Sequence, residues 1–428
     1  MPAGYRVKSI RFESGERLPL LLSKETGLPL WDPTLFILTE LRATDLATST
    51  LEQAARAVMV AHQVLDYLQV KLHDRLLKGR LLTLAEVDVL AKLAGYRQEE
   101  LDKLLENQST SEGSAPKVVS LNKARGRWAS KTPKLVEPET KATRLIYIRN
   151  YIAWLVSGRR LKLDVGDEHY KALNDAAQTI LGRINARIPS RNYEPNGRQG
   201  VGPEVRARIL EVIDPASREN PWKNQHVRLR NQLIFKWLLL LGLRNGELLG
   251  TYAQDVNLRS GEVVVVRRPD NPLESRKDAP LVKTRGRLLA LGPELVELTR
   301  AYITGERARI KGARRHPYLF VSTGKGSPLS KSALNKLFRE LRTKVPGLTD
   351  DLSPHVLRHT WNDDFSELMD ERGVSSDEEE KMRRQAMGWS PRSKMAATYT
   401  KRHVQRKTNE ASLAMQAKTF DSTKKKKT

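Results

Sequence analysis

The chain contains no cysteine. Without thiols it can hold neither a disulfide framework nor a thiolate metal site, and this fits a reducing, cytoplasmic setting. It also lacks a long apolar run. The best stretch, residues 235–243, is interrupted by Lys236 and falls well short of the roughly 18 residues that cross a bilayer. The first residues, Met1-Pro2-Ala3-Gly4-Tyr5-Arg6, hold no apolar signal core. No lipidation motif or aromatic-rich amphipathic helix points to a membrane surface. There is no Gly-x-x-x-x-Gly-Lys phosphate loop, no set of carboxylates at metal-ligand spacing and no repeat of fixed period. Acidic residues are in short supply, 50 against 75 Lys and Arg, for a net charge of +25 over 428 residues. That excess points to a polyanionic partner. With 39% hydrophobic residues the chain can build real cores, and its length suits two or three domains.

The first thirty residues read as irregular, punctuated by Pro19, Gly27, Pro29 and Pro33. Helical spacing then runs over residues 33–42, from an N-cap near Ser49 through Leu68, and onward from Thr83, a second N-cap, with a further amphipathic run at 101–105. Residues 108–140 lose aliphatic periodicity and carry Lys117, Lys123, Arg125, Arg127, Lys131 and Lys134 among small residues. This segment reads either as a solvated tether or as a basic strap on phosphates. Helices return at 143–156 and 168–188, and the Gly-containing loop 189–203 reads as the main domain boundary. Beyond it the pattern is mixed. Helices are expected at 203–213, 227–241, 293–303, 330–345, 354–369, 378–387 and 394–399. Strands are expected at 261–266, 287–291 and 318–321. The lysine-rich end, 422–428, reads as a disordered charge run.

Four segments hold candidate chemistry. In Leu243-Arg244-Asn245-Gly246-Glu247, the arginine and carboxylate lie three residues apart, on one side of a helical turn. This is either a surface ion pair or a buried guanidinium aimed at a phosphate. Val282-Lys283-Thr284-Arg285-Gly286-Arg287 lies between two expected strands and reads as a basic hairpin. Ser353-Pro354-His355-Val356-Leu357-Arg358 starts a helix and puts His355 and Arg358 three apart. Met387-Gly388-Trp389-Ser390-Pro391 is a helix-breaking turn ahead of Tyr399. That tyrosine is either a packing residue or a nucleophile, and a phenol needs nearby cations to act near neutral pH. Each segment alone is weak.

Taken together, in the order Arg, Lys, His-x-x-Arg, Trp, Tyr, these segments resemble the tyrosine recombinase, or phage integrase, family. The resemblance runs from about residue 203 to 403. It implies a fold that is mostly α with a small antiparallel β-sheet. A helical N-terminal core-binding domain and a mixed α+β catalytic domain would close on DNA as a C-shaped clamp. The expected divisions are an N-terminal extension, 1–32; a core-binding domain, 33–190, with its basic loop 108–140; a catalytic domain, 200–412; and a basic tail, 413–428. The N-terminal half fits only by helical content and position. Residue by residue, the resemblance makes Tyr399 the nucleophile. Arg244 and Arg358 clamp the scissile phosphate, Lys283 serves as general acid and His355 as acid or base. Trp389 stands where many members have histidine, and Glu247 supports the first arginine. Arg285, Arg287 and the basic loop would face DNA. The acidic stretch between Arg358 and Trp389 is longer than the family pattern, and Lys277 and Lys311 compete for the lysine role.

These residues suit the reaction. Phosphoryl transfer concentrates negative charge on the non-bridging oxygens, and fixed cations stabilise it with no cofactor required. Attack by tyrosine gives a 3′-phosphotyrosyl enzyme that keeps the bond energy for rejoining. The expected function is therefore site-specific recombination of double-stranded DNA through a Holliday junction, in integration, excision or transposition of a mobile element. The expected assembly is a homotetramer, a dimer on each site, with an accessory directionality factor as a further partner. The rivals are a type IB topoisomerase-like nicking-closing enzyme and an inactive DNA-binding accessory protein on the same fold.

Overall fold

Leucine dominates Arg17–Ser23, and four of its leucines are buried. This segment is strand β2. It pairs antiparallel with β1, Tyr5–Arg11, in a register that sets Tyr5 against Ser23 and Arg11 against Arg17. The beginning of the chain is thus a hairpin and not the irregular leader its prolines suggest. Pro19 is tolerated because each strand of a two-stranded sheet has a free edge, where a missing N–H costs no ladder bond. In this computed structural model the described residues are 4–44, 46–111, 133–190, 199–277, 279–280, 282 and 284–424.

The chain divides into two units, Met1–Tyr193 and Glu194–Thr428. Among its described residues the first is helical apart from the hairpin. Its helices are α1 (Trp31–Phe36), α2 (Thr48–Tyr67), α3 (Leu72–Leu77), α4 (Leu84–Leu93), α5 (Gln98–Ser111), α6 (Pro138–Arg160) and α7 (Glu168–Ala186). Thr83 caps α4 in a reciprocal capping box with Glu86, as its sequence predicts. Helix α2 is the centre of the unit. Leu51, Ala54, Ala55 and Val58 pack with the hairpin leucines, while Ala57, Val60, Ala61 and Val64 pack with the later helices. Its alanines let neighbours approach on both sides. Helix α5 runs to Ser111 and α6 begins at Pro138, so helix enters both ends of the segment expected to be a 108–140 loop.

The second unit holds α8 (Pro203–Val212), α9 (Gln225–Leu241), the short α10 (Asn245–Gly250), α11 (Pro293–Ala301), α12 (Lys331–Lys344), α13 (Pro354–Glu371), α14 (Ser376–Met387) and α15 (Met395–Lys424). A three-stranded antiparallel sheet, in order β3 (Val256–Asn257), β4 (Glu262–Val265) and β5 (Arg287–Ala290), completes it. In β4, Val263 and Val265 are buried and Val264 is exposed, the alternation of a sheet with one covered face. Ser330 caps α12, and Ser353 caps α13 at the helix start read from Ser353-Pro354. Residues 318–321 form no strand; Tyr318 and Val321 make only isolated bridges. The last helix is 30 residues long, and the expected helix at 394–399 is only its first turn. Among the described residues, no helix is long and apolar enough to cross a membrane. The protein is mostly helical with small antiparallel sheets.

Candidate active site

The site begins where α9 ends. Gly242 takes the left-handed conformation (φ +58°) and stops the helix. A Cβ there would meet Met387 and Trp361 at 2.9 Å, so only glycine fits. Its carbonyl accepts a hydrogen bond from Arg358 Nη1 at 2.5 Å. Two residues on, Arg244 starts α10, and its backbone N–H donates to Glu247 Oε2 at 3.0 Å. The Leu-Gly-Leu-Arg-Asn-Gly-Glu run thus builds a turn that places the Arg244 and Glu247 side chains and receives that of Arg358.

Glu247 is the hub. Arg287 donates to it from both terminal nitrogens, at 2.8 and 3.2 Å, and Thr284 Oγ1 donates at 2.5 Å. Arg244 Nη1 lies 3.5 Å and Arg358 Nη1 3.8 Å from its carboxylate. Burial by itself would raise the Glu247 carboxyl. The Arg287 hydrogen bond and the charges of Arg287 and Arg358 overcome this and hold it at about 2. Burial, and then repulsion from Arg244, lowers Arg358 to about 9, which leaves it a cation at neutral pH. Among the described residues, three guanidiniums on one carboxylate leave two positive charges in excess. An anion is the group that would balance them.

Arg287 corrects the sequence reading, which places it on the DNA-facing surface. Its side chain is 1% exposed and pairs with Glu247, and its Nε donates to the Ala386 carbonyl at 2.7 Å. The register of β5 turns it inward. Arg285, two residues earlier, is exposed, as is Lys134 in the first unit. Lys283, Lys117, Lys123, Arg125, Arg127 and Lys131 lie outside the described residues.

Trp389 and Tyr399 form the other wall. Gly388 closes α14 in the left-handed conformation, and its carbonyl accepts from the Arg285 N–H at 3.0 Å. This turn sets the Trp389 ring against the Tyr399 ring, with centroids 5.7 Å apart and planes 12° from parallel. Trp389 faces Arg358, whose guanidinium carbon lies 5.6 Å from the indole. Among the described residues the buried indole Nε1–H has no hydrogen-bond partner, so its donor is free to bind a ligand atom that reaches it. Tyr399 is buried, and its Oη lies 2.8 Å from His359 Nδ1. His355, one turn earlier on α13, is exposed and sets its ring edge-on to that of His359, 4.4 Å between centroids. Arg244, Arg358 and Arg383 lie close enough to Tyr399 to interact with a negative charge on its oxygen.

Sequence reasoning missed His359, Arg383 and Glu379. The fully buried Arg383 donates to Asn362, Ser366 and Glu379, and its guanidinium lies 5.8 Å from the Tyr399 ring. The acidic run after residue 376 reads as solvated, yet Glu379 is buried in this pair. The four-residue spacings, His355 to His359 and Glu379 to Arg383, are the sequence signals that place each pair on one helix face.

Residues 208–406 match the model of the Phage integrase family. Over 156 residues the chain is 24% identical to the tyrosine recombinase XerD of Halalkalibacterium halodurans, covering 36% of this chain and 46% of that protein. Over 173 residues it is 27% identical to the tyrosine recombinase XerA of Saccharolobus solfataricus, covering 40% and 47%. The chain spans about half the length of these curated relatives. Among solved structures, the XerH site-specific recombinase bound to difH substrate overlays with a TM-score of 0.40 at 17% identity, covering 90% of this chain and 94% of that one. Residues 208–406, most of the second unit, thus carry the match to the tyrosine recombinase, or phage integrase, family.

Proposed function

We propose that the protein is a site-specific DNA recombinase that cuts and rejoins strands through a 3′-phosphotyrosyl intermediate. The observation that carries this reading is the charge imbalance at Glu247. Three guanidiniums share one carboxylate beside a buried tyrosine. A DNA phosphodiester supplies the missing negative charge, and its transition state supplies more.

Arg244 and Arg358 clamp the non-bridging oxygens, with the planar donor fork that phosphate recognition needs. The unpartnered Trp389 N–H adds a third donor. Trp389 cannot shuttle a proton, so its part is packing and hydrogen bonding. Arg287 and Glu247 keep the two clamping arginines in place. Tyr399 attacks phosphorus, and Lys283 protonates the leaving 5′ oxygen. His355 stands at the mouth of the site as an acid or base toward substrate. Rejoining reverses these steps with the 5′ hydroxyl of a second strand, so no nucleotide is consumed. Exchange between two duplexes proceeds in a homotetramer through a Holliday junction. The exposed outer part of α15, with Val404 and Leu413 facing solvent, supplies apolar surface for contact between subunits.

The test is a pool of nicked duplexes with a randomised core, from which covalent adducts are captured under denaturing conditions and sequenced. Wild type is expected to enrich one site, and Tyr399→Phe to form no adduct. An adduct that persists in Tyr399→Phe assigns the nucleophile elsewhere. Relaxation of any supercoiled plasmid, with no enriched site, favours a topoisomerase-like enzyme. Tight binding with no adduct on any duplex favours an accessory DNA-binding protein.

A further inference from the structure

The resemblance and the charge hub account for the phosphate, but they leave open where the phenolic proton goes. We infer that His359 is a catalytic residue: the base that takes the proton from Tyr399 as it attacks and returns it on rejoining. This rests on the recombinase reading above.

His359 Nδ1 lies 2.8 Å from Tyr399 Oη, within direct transfer distance. Both side chains are buried, 7% and 3% exposed, so bulk water does not compete for that proton. With the neutral ring carrying its proton on Nε2, the phenol donates to Nδ1. Trp389 and Arg383, which also lie against the phenol ring, are unsuited to this task. The indole of Trp389 has no acceptor, and the guanidinium of Arg383 already holds its protons. The imidazole is held from two sides, by the phenol and by the edge of the His355 ring. It lies on the middle of α13, next to Arg358. Arg358 reaches across to the Gly242 carbonyl and the Glu247 hub. One helix turn thus presents a cation for the phosphate and a base for the nucleophile, with adjacent residues pointing to the two partners of the reaction. The guanidiniums of Arg244, Arg358 and Arg383 favour the negative charge that grows on the phenol oxygen as its proton leaves.

An Oη lone pair forms the O–P bond, and the phenolic proton passes to Nδ1, giving an imidazolium. The bond from phosphorus to the 5′ oxygen breaks, and that oxygen takes a proton from the Lys283 ammonium, leaving an amine. On rejoining, a 5′ hydroxyl attacks phosphorus and gives its proton to the amine. The O–P bond to tyrosine breaks, and the phenolate recovers its proton from the imidazolium.

The experiment uses the full chain and the nicked duplex enriched above, in two forms: the natural phosphodiester and one with sulfur replacing the 5′ bridging oxygen. A thiolate leaves without an acid, so the sulfur form removes the need for Lys283 but not for a base at Tyr399. His359→Ala removes the ring. His359→Asn keeps a short acceptor toward the phenol but no base. Both are expected to bind DNA within about twofold of wild type. Both are expected to cleave either substrate about 10²–10⁴-fold more slowly, the usual contribution of a positioned acid or base. Imidazole in the buffer is expected to restore part of the activity of His359→Ala and none of that of His359→Asn. Cleavage by His359→Asn within about threefold of wild type overturns the inference, because the side chain would then only position the phenol. Recovery of either variant on the sulfur substrate also overturns it, by assigning His359 to the leaving group. Either result leaves the recombinase reading standing, provided wild type forms its adduct. If wild type forms none on any duplex, both fall.

Discussion

Glu247 shows how one residue organises a site. It sits three positions after Arg244, as a local capping residue would, but its carboxylate gathers Arg287 and Arg358 from 40 and 111 positions further along the chain. Removing one member of a buried ion network leaves the others uncompensated, at a cost of about 3–5 kcal/mol. Glu247→Gln is therefore expected to lose about that much stability in urea denaturation. Adding Arg287→Met to it should recover part of the loss, since one unbalanced charge goes with it. If Glu247→Gln melts within about 1 kcal/mol of wild type, the three guanidiniums do not depend on that carboxylate.

At the scale of elements, the site is an agreement between helix ends. Gly242 ends α9 and Gly388 ends α14, both in the left-handed conformation. Their carbonyls accept from Arg358 and from the 284–287 segment. The acidic stretch between Arg358 and Trp389 has a structural use here. Asp363 accepts from the Gly200 N–H at 2.9 Å, Asp364 pairs with Arg206, and Asp370 pairs with His403 at 2.7 Å. Glu379 and Arg383 tie α14 to α13 below the tyrosine. Arg383→Met is expected to destabilise by about 3–5 kcal/mol, because it strands Glu379 in the interior. The double variant Glu379→Leu with Arg383→Met should recover most of this, since well-packed apolar pairs replace buried ion pairs at little cost. A double-mutant cycle in urea checks both values. A double variant no more stable than Arg383→Met would show that packing, not charge, holds the helices together.

At the scale of the whole molecule, acid should act on the two units in different windows. In the first unit, burial lowers His62 to about 4, and His62 Nε2 lies 3.1 Å from the Tyr151 hydroxyl. The unfolded chain binds that proton more readily, so this contribution is complete above about pH 6.5 and is lost as pH falls toward 4. The shift corresponds to about 3 kcal/mol. In the second unit, Glu247 is held at about 2. Its contribution is present above its unfolded value of about 4.5 and is lost as pH falls toward 2. Between pH 6.5 and 4.5, hydrogen exchange should therefore show α2 losing protection before α9. His62→Gln, which keeps an acceptor for Tyr151, should flatten the acid response of α2. An unchanged response in that variant would remove His62 as its cause.

The sequence by itself determined what depends on near neighbours along the chain. Helical spacing, the caps at Thr83, Ser330 and Ser353, and the β-branched strand Glu262–Val265 are set by contacts a few residues apart. The family resemblance of the ordered residues from Arg244 to Tyr399 was also legible, because it rests on residue types and their order. Tertiary structure decided what depends on long-range pairing. It made the proline-broken beginning a hairpin, because Leu18 and Leu20 to Leu22 needed a core that α2 provides. It turned Arg287 from a surface cation into a buried partner of Glu247, and it buried Glu379 with Arg383. It also brought His359 to the Tyr399 oxygen across 40 residues. Spacing along the chain places side chains on a helix face; only the packing of that face against another element decides which group meets which atom.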